Sequence, residues 1–182
     1  NFFVEVLQLP TIWIEGLTQI CHGDSLFLVA KGAETYNWGE GTLKDQLNPL
    51  PFSSTTYKLS GTDENKCTNQ IDVPITVLSK PDINIKGETM VCINTQADLT
   101  ASDGCEVYAW NNGNSGKNIQ PTITKKDTFS VLGIDLYGCK NKASIVISPL
   151  DPPELSILGD TVVCLGKSTT LVAQGAQTYL WP

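Results

Sequence analysis

The stretch VCINTQADLTASDGCEVYAW, residues 91–110, is echoed twice, as ICHGDSLFLVAKGAETYNW at 20–38 and as VCLGKSTTLVAQGAQTYLW at 163–181. Cys92, Leu99, Ala101, Gly104, Tyr108 and Trp110 match Cys21, Leu28, Ala30, Gly32, Tyr36 and Trp38, and again Cys164, Leu171, Ala173, Gly175, Tyr179 and Trp181. The cysteine recurs after 71 and then 72 residues, the tryptophan after 72 and then 71. A fixed period of this length marks an array of like modules.

The period places residues 1–9 as the last strand of a preceding repeat. It places complete repeats at 10–79 and 80–151, and the first half of a further one at 152–182. Asn1 is then expected to lie inside a longer, processed protein. Pro10, Pro81 and Pro152-Pro153 mark the seams. Proline cannot donate to a strand ladder, so it suits edges and linkers. The seams contain no Gly/Ser tether, which argues against freely jointed domains.

Within a repeat the apolar period is two. Ile12/Ile14, Ile83/Ile85 and Leu155/Ile157 give a strand A, and Leu26/Leu28/Ala30 and Ala97/Leu99/Ala101 a strand B. Tyr36-x-Trp38 and Tyr108-x-Trp110 give strand C, with both rings on one face. Residues 56–61 and 128–133 give strand F. Ile71/Val73/Ile75 and Ala143/Ile145/Ile147 give strand G. The F–G turns fall at 63–66 and 135–138. The stretches 39–54 and 111–126 are less regular, with short strands expected around Ile119 and Ile123. No ten residues carry a helical apolar stripe. The fold expected is all-β: tandem immunoglobulin-like β-sandwich repeats of about 71–72 residues. Trp38, Trp110 and Trp181 are its expected core residues, and loss of a buried one to alanine should cost about 3–5 kcal/mol.

The chain carries 12 basic residues, all lysine, 19 acidic ones and a net charge of −7. An acidic chain without arginine lacks the usual phosphate-neutralising surface, so nucleic acid is not an expected partner. No apolar run approaches the ~20 residues that span a bilayer, and no secretory leader is visible at the start. The single histidine, His22, sits in a turn, opposite Ile93 and Leu165 in the other repeats. No nucleophile motif, phosphate loop or dinucleotide fingerprint occurs, and the adjacent carboxylates Asp63-Glu64 are poorly placed for joint acid/base work. Asp63-Glu64-Asn65 offers oxygens without an EF-hand spacing. No enzyme activity, cofactor or metal is expected. The polar loop 111–116, NNGNSG, is the one stretch that suits ligand recognition.

Cysteines form two columns, Cys21, Cys92 and Cys164 in the A–B region and Cys67 and Cys139 after the F–G turn. Cysteines locked to a domain period point to disulfides and an oxidising, extracellular setting. Two pairings fit: Cys21–Cys67 within a repeat, or Cys21–Cys139 between repeats, with Cys92 reaching the repeat that follows. In an immunoglobulin strand order the two turns lie at opposite poles. They are separated by a strand G of roughly 30 Å, whereas a disulfide needs Cα atoms within ~7 Å. The between-repeat pairing is favoured, and both stand at this stage. Cys105 belongs to neither column; opposite Ala33 and Ala176, it is expected as a small buried residue or an unpaired thiol.

The series Gly87, Cys92, Leu99, Ala101, Gly104, Tyr108, Trp110, Pro121, Thr128, Phe129, Gly133, Asp135, Cys139, Asn141 resembles the immunoglobulin-like and PKD-like repeats of large surface adhesins of gliding bacteria, exported by type IX secretion. That resemblance implies a shaft or spacer at the cell surface. Its partners would be neighbouring repeats, and other surface proteins or glycans. It also leaves open a ligand-binding module or a spacer in a secreted hydrolase.

Overall fold

A computed structural model of the chain describes residues 2–39 and 43–182. The expected irregular stretch 39–54 therefore falls partly outside the described residues, as does Asn1. Among the described residues every regular element is a strand, and no helix is long and apolar enough to cross a membrane.

The first repeat builds two sheets. β1 (Trp13–Glu15), β3 (Leu28–Lys31) and β5 (Gln46–Leu47) form one, in the order β1-β3-β5. β2 (Gln19–Cys21), β4 (Thr35–Asn37), β6 (Thr55–Thr62) and β7 (Thr68–Leu78) form the other, in the order β2-β7-β6-β4. β2 runs parallel to β7, whereas β6 and β4 pair antiparallel. Ile12, Leu26, Leu28, Ala30, Trp38, Leu59, Val73 and Ile75 make one buried cluster. The Trp-centred core read from the period-two pattern is therefore present.

The second repeat follows the same plan. β8 (Ile85–Lys86), β11 (Leu99–Ala101) and β13 (Asn118–Ile119) make one sheet. β9 (Met90–Cys92), β12 (Val107–Trp110), β15 (Asp127–Ile134) and β16 (Lys140–Leu150) make the other, in the order β12-β15-β16-β9. β10 (Thr95–Gln96) pairs with β14 (Thr122–Ile123), so Ile119 and Ile123 lie on the two short strands expected there. Tyr108 and Trp110 are both buried from one face of β12. In residues 152–182, β17 (Ser156–Leu158) pairs with β18 (Val172–Gln174). The register is common to all three repeats: Ile14 opposes Ala30, Ile85 opposes Ala101 and Ile157 opposes Ala173.

The single expected strand A is in fact two strands, one in each sheet. Gly16 and Gly87 stand at the crossing between them. A Cβ on Gly16 would lie 2.3 Å from the Phe27 carbonyl oxygen, and its φ is +130°. A Cβ on Gly87 would lie 2.7 Å from the Asp98 carbonyl oxygen. Only glycine lets the chain pass this close to strand B while changing sheets.

Two expectations meet a different outcome. Trp181 is 46% exposed, because no second sheet covers β17 and β18 among residues 152–182. Residues 2–9 form no strand, and Phe2, Phe3, Val4 and Val6 are exposed; a G-type strand needs an F-type partner, which they do not have here.

The chain divides into two compact units. One comprises 1–82 with 104–106 and 133–141; the other comprises 83–103, 107–132 and 142–182. The F–G turn of the second repeat thus groups with the first repeat.

Candidate functional site

Each complete repeat places one cysteine at either end of its strand G. In the first, Cys21 closes β2 opposite Leu78, the last residue of β7, and the next residue's amide, His22 N, donates to the Leu78 carbonyl at 2.7 Å. Cys67 immediately precedes Thr68, the first residue of β7. The second repeat copies this: Cys92 lies opposite Leu150 at the end of β16, and Cys139 precedes Lys140 at its start. Eleven residues of extended strand separate the two cysteines of a repeat, roughly 35 Å at about 3.3 Å per residue. A bond within the repeat is sterically closed.

The structure joins Cys21 to Cys139, with Cα atoms 5.5 Å apart and a sequence separation of 118. This is the between-repeat alternative, and Cys21–Cys67 is not formed. Both bonded cysteines lie in the first compact unit. The turn that presents Cys139 is built for the purpose. The Asp135 carboxylate accepts from the amides of Cys139 at 2.8 Å and Tyr137 at 2.9 Å, and Asp135 N donates to the Cys139 carbonyl at 3.0 Å. Gly138 supplies the positive φ, +83°, that closes the turn. Cys139 is fully buried and Cys21 half-buried.

Cys67, Cys92 and Cys164 are thiols; Cys67 is half-buried and the other two are exposed. Cys105 is also a thiol, half-buried rather than buried. Desolvation, followed by the nearby negative charge of Asp135, raises its pKa above the ordinary thiol value. His22 is exposed in its turn, its ring tilted against that of Phe52 at 6.2 Å. Among the described residues, no three or more His, Cys, Asp or Glu side chains gather in a metal-binding group. The Asp63 carboxylate accepts from the Cys67 amide at 2.9 Å, which is a turn-building contact.

The loop 111–116 is less adaptable than its composition suggests. Trp110 N donates to the Asn114 carbonyl at 2.9 Å, Gly113 N to the Trp110 carbonyl at 3.1 Å and Gly116 N to the Tyr108 carbonyl at 3.2 Å. The Asn111 side chain bridges to β15, donating to the Thr128 carbonyl and accepting from Ser130 N, each at 2.9 Å. The Trp110 indole N–H donates to the Gly116 carbonyl at 2.9 Å. These polar groups hold the hairpin to its own core.

Two recurring polar roles carry no apolar signature and escaped the sequence reading. Asn69 and Asn141, each two residues past an F–G cysteine, donate side-chain amides to the carbonyls of Pro10 at 3.0 Å and Pro81 at 2.8 Å. Each fastens the start of strand G to the seam proline. The strand C tyrosines tie down the preceding turn: Tyr36 Oη donates to the Ala33 carbonyl at 2.8 Å, and Tyr108 Oη to the Ser102 carbonyl at 2.8 Å. The offset of 72 between the asparagines was the available signal.

One sheet that pairs strands A and B with a short strand from the stretch between C and F (β5 or β13), another ordered C-F-G with a parallel strand added beside G, and a buried tryptophan on or next to strand C define the class: these are immunoglobulin-like sandwiches in tandem. No family model and no curated protein matches the chain. Among solved structures it is similar to the "Crystal structure of Dscam1 isoform 4.4, N-terminal four Ig domains" at 14% identity, with a TM-score of 0.29. That match covers 84% of this chain and 45% of the other, so the chain spans less than half the length of that protein. The immunoglobulin-like assignment stands on the strand order within each repeat.

Proposed function

We propose that the chain is a non-enzymatic, extracellular segment of the shaft of a large repetitive surface adhesin. The observation that carries the reading is the Cys21–Cys139 bond, which links successive repeats through cysteines at opposite ends of their G strands. A bond of that span has a structural use in a repeated array and suits an oxidising compartment. The acidic surface keeps such a segment dissolved and disfavours self-association. The resemblance to repeats of gliding-bacterium adhesins makes type IX export the matching route. The self-satisfied loop at 111–116 weakens the alternative of a glycan- or ligand-binding module.

The test is to blot cell-surface and medium fractions, under reducing conditions, with an antibody raised to residues 80–151. A very large species held at the surface supports the shaft. A smaller released species whose flanking sequence encodes a catalytic domain would replace it with a spacer in a secreted hydrolase.

A further inference from the structure

We infer that Cys67 and Cys92 are the two halves of further staples, so that each repeat of the array is bonded covalently to both the one before it and the one after it. Cys67 would take the β2-type cysteine of the preceding repeat, and Cys92 the F–G-turn cysteine of the following one. The inference depends on the staple in the structure and holds whether the parent protein is an adhesin or a spacer.

The argument is that both half-sites already have the local geometry of the bonded pair. Cys67 N donates to the Asp63 carboxylate at 2.9 Å, as Cys139 N does to Asp135 at 2.8 Å. Asp63 N donates to the Cys67 carbonyl at 3.0 Å, as Asp135 N does to Cys139. Lys66 takes the positive φ, +68°, that Gly138 takes at +83°. A non-glycine residue held there shows that the turn is imposed and not merely tolerated. At the other end, Ile93 N donates to the Leu150 carbonyl at 2.9 Å, matching His22 N to Leu78 at 2.7 Å. The parallel registers Cys92–Leu150 and Cys21–Leu78 also match.

Burial differs in the direction that a partner would cause. Bonded Cys139 is fully buried whereas Cys67 is half-buried; bonded Cys21 is half-buried whereas Cys92 is exposed. The two cysteines of one repeat lie at opposite ends of an eleven-residue strand, so their partners must come from different repeats. Closure of each staple joins two sulfurs. It releases two protons and passes two electrons to the disulfide of a thiol oxidoreductase of the export compartment, which leaves as the dithiol.

The experiment uses the full-length protein as its native cells display or release it. Thiols are blocked with an alkylating maleimide before lysis, the protein is digested without reduction, and cross-linked peptides are sequenced. Cys67 and Cys92 should each appear joined to a cysteine of a neighbouring repeat, with less than a tenth carrying the label. In a Cys92→Ala variant, the F–G cysteine of the following repeat should become labelled while Cys21–Cys139 stays intact. Alkylated Cys67 and Cys92 in the unmodified protein, a Cys67–Cys92 bond within one chain, or a small thiol on either residue would overturn the inference.

Discussion

Breaking the Cys21–Cys139 bond should destabilise the repeats by an amount set by the length of chain it closes. The bond spans 118 residues. Closing a loop of that length lowers the entropy of the fully unfolded chain by an amount equivalent to about 5 kcal/mol at room temperature. Unfolding of the first repeat alone, with the second intact, leaves a flexible loop of about 60 residues from Cys21 to the Pro81 seam, and the same relation gives about 4 kcal/mol. For a module near seventy residues this corresponds to a fall in Tm on the order of 20 °C. The assay is calorimetry or circular dichroism of residues 1–182, oxidised and then reduced under nitrogen. The Cys21→Ala variant serves as a second route to the open form. Cys21 is the better site because Cys139 is fully buried and its replacement would add a cavity. Reduced and Cys21→Ala proteins should melt together, well below the oxidised one. A shift under about 5 °C, near 1 kcal/mol, would refute the loop-closure argument.

The two core tryptophans should respond differently to phenylalanine. Trp110 Nε1 donates to Gly116, whereas buried Trp38 Nε1 has no acceptor among the described residues, so Trp110→Phe should cost about 1–2 kcal/mol more than Trp38→Phe in urea titrations read by hydrogen exchange in each repeat. Gly87→Ala should cost about 1–3 kcal/mol by crowding Leu99 Cδ2 and the Asp98 carbonyl. Gly16→Ala should cost more, because strain at a positive φ adds to its closer clash; equal urea midpoints would count against the crossing role of these glycines. Cys105 should alkylate more slowly at neutral pH than exposed Cys92, with its rate rising at a higher pH than an ordinary thiol's. Since the unfolded chain releases that proton first, Cys105 should lower stability as pH climbs past the normal thiol range, and Cys105→Ala should flatten that decline.

The sandwich could be read from the sequence because its signals are local and repeated. Leu59, Ile71 and Leu99 each stand between polar neighbours, and burial on one face of a strand dictates that period. The split of strand A was not readable, because Ile12 and Ile14 alternate as one strand would and the short β2 segment Gln19–Cys21 carries no alternation of its own. What divides them is the clash a side chain at Gly16 would make with the Phe27 carbonyl, a contact across the sheet. Exposure of Trp181 has the same origin: a core position is defined by the sheet packed over it, and a motif carries no information about whether that sheet is there. The choice between Cys67 and Cys139 as the partner of Cys21 was readable only through topology, from the length of strand G. The anchoring asparagines recur at the repeat period, but each bonds a carbonyl some sixty residues away in sequence, so the period marks the residues and not their role.

That placement of cysteines bears on how the proposed shaft would carry load. Tension on a polypeptide follows the shortest covalent path. A bond from Cys21 to Cys139, a sequence separation of 118, removes the chain between them from that path, including both long strands of the first repeat and most of the second repeat. The bypassed length is on the order of 400 Å of extended chain, none of which can be drawn out while the bond stands. A within-repeat bond from Cys21 to Cys67 would have shielded a single repeat and left every seam to bear the full extension. Bonding between repeats encloses the Pro81 seam within the loop as well, so that joint is shielded together with the bypassed strands of both repeats, while β1 and β16 stay on the loaded path. The seam prolines, which lack an N–H to donate but accept from the anchoring asparagines, need not carry the load there, because continuity under tension is supplied by the disulfide.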